Sequence, residues 1–236
     1  MKKKYAFTMI ELIVVIIILA ILATYSIPRL DRDTRSEAIN HILTMIRYTQ
    51  NLALHDNSHD SSPAWQRGFW RFQIYKCAGG SGIFYMIGKE SDFTSRRTAL
   101  NRGEVATDPA NGKFTFWDKR KACPKSSNEA LMSDVSPNIF LTQKYGIKEA
   151  KFDSCRIYKR GIVKSEYGGK PIEHIGFDYF GRPHKSFTST IFPNHWGIAV
   201  EPCKITFSFV DSSIAPFTIV VENESGYAYL EENPKL

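Results

Sequence analysis

A single carboxylate, Glu11, stands at the mouth of an unbroken apolar run, residues 12–23, and three lysines, Lys2, Lys3 and Lys4, stand before it. A carboxylate at mid-bilayer costs about 2.5 to 3.5 kcal/mol, and less near the edge. A plain hydrocarbon span gains nothing from that charge, so Glu11 asks for a cationic partner. Two other groupings have residue types that do chemistry. His55 and His59 lie four apart with Asp56 and Asp60 beside them, a spacing that suits a metal on one helical face. No third ligand is fixed, and a solvated helix end explains the segment, so no metal is assigned. His174, Asp178, His184 and His195 fall close together, but no G-x-S-x-G elbow, phosphate loop or H-E-x-x-H accompanies them. The chain is therefore expected to be no enzyme and to need no cofactor.

The stretch Lys4-Tyr5-Ala6-Phe7-Thr8-Met9-Ile10-Glu11-Leu12 resembles the cleavage and methylation site of type IV prepilins and of the pseudopilins of type II secretion. The resemblance implies a leader at residues 1–6, a cut between Ala6 and Phe7 by prepilin peptidase, and N-methylation of Phe7. It also implies that Glu11 acts in assembly and that Pro28 kinks the helix. Ala6 stands where glycine is usual, and Met9 where leucine is usual. The implied processing has a physical logic. Removing the leader deletes the lysines and frees an α-amino group at Phe7, one helical turn from Glu11. In a low-dielectric bilayer each charge needs its opposite, and stacked subunits with a vertical offset supply it. The competing readings are a plain signal anchor and a cleaved secretory signal. The second wants small residues after the apolar core, whereas Tyr25 and Pro28 follow here.

Net charge is +7 over 236 residues, and without the three leader lysines it falls to +4. The lysines before the span keep the N-terminus cytoplasmic, so the remainder crosses the inner membrane into an oxidising compartment. Cys77, Cys123, Cys155 and Cys203 are widely spaced with no C-x-x-C pair, which argues for disulfides over zinc. Three pairings are open. Sequential pairing, Cys77 with Cys123 and Cys155 with Cys203, is favoured because it staples two neighbouring subdomains.

The chain divides into residues 7–28, the transmembrane half of a long helix; 29–56, its amphipathic half; and 57–236, a β-rich extracytoplasmic head. Ile39, Ile42, Leu43, Ile46, Ala53 and Leu54 recur at helical spacing and mark the face that packs on the head. Strands are expected at 68–75, 83–87, 113–117, 139–144, 151–158, 174–179, 196–200, 204–210, 217–221 and 227–230, the last three as an antiparallel meander. Segments 90–111 and 119–138 read as inserted loops or short helices. The fold class is α+β, a long N-terminal helix packed on an antiparallel sheet, as in pilins.

Gly176-Phe177-Asp178-Tyr179-Phe180-Gly181-Arg182-Pro183 and the segment 217–227 resemble the GspH/FimT class of minor pseudopilins and minor pilins. The expected function is a minor pilin or pseudopilin of a type IV pilus or type II secretion pseudopilus. Its expected partners are prepilin peptidase, which is also the methylase, other pilin subunits and the inner membrane. The alternative is a DNA-capturing minor pilin of a competence apparatus. For that role Arg67, Arg71, Arg96, Arg97, Arg102, Lys119, Arg120, Lys121 and Lys125 are interleaved with Trp65, Phe69, Trp70 and Trp117. Arg182 and Lys185 are its nearest candidates for DNA contact.

Overall fold

A computed structural model describes residues 9–57, 64–93, 100–125, 133–159, 162–165, 173–185, 187 and 197–231, with backbone alone at 23–33, 153–154, 156–159, 162–165 and 173. The long helix α1 runs Met9–Leu54. At 1.5 Å per residue its 46 residues span about 69 Å. It passes through Pro28 without ending.

The second half of α1 buries Ala38, Ile39, Ile42, Met45, Ile46, Thr49 and Ala53, a single stripe at three- and four-residue steps. Thr49 is tolerated there because its hydroxyl donates to the Met45 carbonyl one turn back, at 2.7 Å. Leu54, expected on this stripe, is 49% exposed because it lies off the line that Thr49 and Ala53 continue.

Strand β1 (Trp70–Lys76) and β2 (Ile83–Gly88) form a hairpin in register from Arg71 opposite Gly88 to Lys76 opposite Ile83. A short helix α2 (Leu141–Tyr145) follows, and then β3 (Ile147–Ser154). A small separate hairpin comes next, made of β4 (Arg156–Lys159) and β5 (Ile162–Ser165). β6 (Glu173–Phe177) and β7 (Pro183–His184) complete the first sheet, whose order is β2-β1-β6-β7. β8 (Cys203–Phe209), β9 (Phe217–Val221) and β10 (Ala228–Leu230) join β3 in a second sheet, β10-β9-β8-β3. All named pairings are antiparallel. Cys203, Ile205, Phe207 and Phe209 point into the core while Lys204, Thr206 and Ser208 stay half-buried, the period-two pattern of a strand covered on one face. Among the described residues the head thus has two four-stranded sheets beside the small β4–β5 hairpin where one sheet was expected, with α1 packed against β1, β6 and β10.

Segment 139–144 is helical, not a strand. Ser136 caps a tight turn at Pro137–Ile139, Leu141 and Tyr145 are buried four apart, and Gly146 closes the helix at φ +67°. Segment 113–117 makes isolated bridges only, Phe114 with Thr107 and with Val135. In 196–200 the described residues make isolated bridging contacts, Ile198 with His184 and the Ala199 N–H donating to the Pro183 carbonyl, and no named strand. The strand expected at 151–158 is divided at Cys155, which leaves the ladder to bond Cys203.

The disulfides are Cys77–Cys123 and Cys155–Cys203, the sequential pairs. The first ties the end of β1 to the inserted segment 119–125, beside the Ala78 N–H donated to the Lys121 carbonyl. The second joins the end of β3 to the start of β8, neighbouring strands of one sheet. Closing loops of 46 and 48 residues stabilises the fold by about 4 kcal/mol each in the loop-entropy account.

Candidate functional site

Glu11 occupies the first turn of α1, where the helix dipole favours a negative charge. It is exposed, and so are the apolar side chains from Met9 to Leu22, between 46% and 84% for the larger ones. A helix apolar on every side demands a non-aqueous surrounding or packed partners. Among the described residues, no helix is long and apolar enough to cross a membrane.

A second site lies at the other end of α1. The turn from Asp178 to Gly181 closes through the Gly181 N–H on the Asp178 carbonyl at 2.9 Å. The buried Asp178 carboxylate organises it. Oδ1 accepts the N–H groups of Phe180 (3.0 Å) and Arg182 (2.9 Å). Oδ2 takes Arg182 through Nε at 2.9 Å and Nη2 at 2.8 Å, and His184 Nε2 at 3.0 Å. Burial pushes this carboxyl up, but the bonds from His184 and Arg182 outweigh it and hold the group below the usual aspartate value of 3.8. The turn borders a cleft of about 300 Å³ lined by Trp65, Phe69, Tyr179, Phe180, Arg182 and His184. Trp65 and Tyr179 lie near parallel with centroids 6.2 Å apart, and Phe69 meets both edge-on.

The turn is fixed against α1. Gln50 Nε2 donates to the carbonyls of Gly181 (3.0 Å) and Ser225 (2.7 Å), so one helical side chain holds both the β6–β7 turn and the β9–β10 turn.

Residues 1–27 match the family profile of the prokaryotic N-terminal methylation motif. The motif is characteristic of type IV prepilins and pseudopilins. Over that stretch the chain is similar to type IV pilin-like proteins and pseudopilins. No curated protein and no solved structure matches the chain. The prepilin motif implies processing by prepilin peptidase and assembly with other pilins, and it suggests a membrane-anchored precursor. Ala6 and Phe7 lie outside the described residues, as do the side chain of Pro28 and all of Arg96, Arg97, His59 and His195.

In the head the basic and aromatic residues do not form one surface. Arg67 and Arg71 are wholly buried. Arg67 pairs with Glu90 through Nε at 3.0 Å and through Nη2, and donates to the Phe93 carbonyl at 3.0 Å. Arg71 Nε donates to Gln73 at 3.1 Å. Lys185, expected to contact DNA, is buried with its Nζ 4.5 Å from the centre of the Phe152 ring. Arg182 is 41% exposed and bound to Asp178, while Lys119, Arg120, Lys121 and Lys125 are exposed elsewhere, on the segment held by Cys123.

Two polar groups of weight escape a reading of the sequence. Asp108, fully buried, accepts from Ser136, Asn138, Asn111 and the Ala110 N–H, and so pins together the two inserted segments. His41 on α1 bonds Tyr85 Oη at 2.9 Å and stacks on Tyr145 at 4.8 Å. Burial pulls its pKa down to about 4, despite the opposing pull of Asp108.

Proposed function

We propose that this protein is a minor pilin or pseudopilin, cut after Ala6, methylated at Phe7 and built into a type IV pilus or type II secretion pseudopilus. The observation that carries the reading is the methylation motif over residues 1–27 joined to a helix whose first charged residue is Glu11 and whose apolar side chains are exposed on every side through Leu22. Such a helix is stable in lipid before assembly and against sister helices afterwards. The freed Phe7 amine of one subunit neutralises Glu11 of the next, which sets the axial offset of the filament. The two disulfides agree with a head that matures in an oxidising, extracytoplasmic compartment. Two inserted segments pinned at Asp108 give the head a larger, less regular surface than a repeating major subunit needs. The protein acts by position, with its head against other subunits or cargo, and not by catalysis.

The experiment is Glu11→Ala in cells. Cleavage after Ala6 continues, and the protein stays in the membrane fraction in place of the sheared filament fraction. Normal incorporation into filaments contradicts the charge-pairing account.

A further inference from the structure

The cleft beside the Asp178 turn has a chemistry of its own. The geometry points to a docking site for a partner protein's segment in which an aromatic side chain lies next to a carboxylate. This rests on the reading of the head as the part that meets other subunits or cargo, and it names what the head recognises.

Phe180 is 76% exposed, a ring that no core requires, yet it is held in place: its own N–H is bound by Asp178, and Gly181 beside it is clamped by Gln50. An apolar ring displayed on a rigid turn contributes to binding with little ordering cost. Trp65 and Tyr179 present neighbouring faces, and Phe69 closes the inner edge, so an incoming ring finds offset and edge-on contacts. Charge then selects the class of ligand. An ammonium group would meet the Arg182 cation already set against the Phe180 ring, and no acid is left to offset it, since both Asp178 oxygens are taken by two backbone N–H groups, His184 and Arg182. A sugar wants free acceptors for its hydroxyls, and the cleft's carboxylate is equally closed to it. What faces outward is the Arg182 guanidinium, lying 5.2 Å from the Phe180 ring centre, with Nη1 turned to neither Asp178 oxygen among its described bonds. The Nε/Nη2 edge of Arg182 is spent on Asp178, so it is the remaining Nη1/Nη2 edge, beside this aromatic surface, that meets a carboxylate attached to a ring-bearing residue. A nucleic acid strand would need a row of cations along its backbone, and the neighbouring Lys185 is buried over Phe152. The site lies against Gln50 and Leu54, in the last turns of α1 and about 60 Å along the helix from Glu11.

The test uses the full chain in detergent micelles and calorimetric titration with three probes: N-acetyl-Asp-Phe-amide, N-acetyl-Asn-Phe-amide and N-acetyl-Lys-Phe-amide. The aspartyl probe binds, and the asparaginyl one binds about tenfold more weakly, as loss of one charge-assisted contact requires. The lysyl probe is weaker still. Phe180→Ala, which removes an exposed ring and leaves the core intact, weakens the aspartyl probe about tenfold, while Arg182→Gln abolishes the preference for aspartyl over asparaginyl. No binding of the aspartyl probe, equal affinity for all three, or tighter binding of an oligothymidylate than of the aspartyl peptide each overturns the proposal. A protein that is cut, methylated and assembled yet ignores the aspartyl probe defeats this inference alone and leaves the filament reading standing.

Discussion

Single atoms decide two features of the head. A Cβ at Gly226, whose φ is +67°, would sit 1.9 Å from the Gly181 carbonyl oxygen and 2.6 Å from Gln50 Nε2. Gly226→Ala therefore breaks the junction of the two turns, and thermal or urea unfolding should show a loss of about 1 to 3 kcal/mol. Gly146 has the same φ, but nothing lies within 4 Å of its added Cβ. There Ala should cost only about 1 kcal/mol for handedness. His41 gives the head a pH dependence. Its pKa in the folded protein is lowered from 6.5 to about 4, so the unfolded chain binds the extra proton between those values. Stability from this group is present above pH 6.5 and is lost as pH falls toward 4, by about 2 to 3 kcal/mol. Burial sets that direction first; the Asp108 charge and a backbone hydrogen bond at Asn138 oppose it, and the Lys144 charge adds to it. His41→Gln should flatten this part of the curve, measured by urea denaturation at pH 7, 5.5 and 4.5; an unchanged slope contradicts the assignment.

Among the elements, the second disulfide and the buried ion pair have the largest consequences. Replacing both Cys155 and Cys203 with serine frees the 48-residue excursion between β3 and β8 and should lower stability by about 4 kcal/mol. Glu90→Ala leaves the wholly buried Arg67 charge without its carboxylate and should cost about 3 to 5 kcal/mol in the same assay. The strand signal was strong where one face is covered, as in β8, whose alternation reads directly from Ile205, Phe207 and Phe209. It failed over 139–144, where the β-forming Ile139, Phe140 and Thr142 are ruled by the flanks of the segment, Pro137 before and Gly146 after. Arg67 and Arg71 look like surface cations in the sequence, because nothing local announces that Glu90, across a hairpin, accompanies them inside. The cleft was half visible. Asp178 and Gly181 mark a turn, but only tertiary packing brings Trp65 and Phe69, more than a hundred residues away, to its side.

At the scale of the molecule, one helix joins two chemistries. Its first part, apolar around the full circumference and headed by Glu11, needs a non-aqueous surrounding or packed partners; its last turns hold a disulfide-stapled head and, through Gln50, the aromatic cleft. Residues 1–27 carry the methylation motif in a stretch of sequence short enough to be read by eye. The architecture of the head depends on contacts between distant segments and was legible only in outline, as α+β with a C-terminal meander. Everything proposed for the filament depends on an amine created by cleavage at Phe7 and paired with Glu11 of a neighbour. Mass spectrometry of the N-terminal peptide from protein recovered from cells measures that directly: the account predicts a chain beginning with N-methylated Phe7, and a functional protein that still begins at Met1 would contradict it.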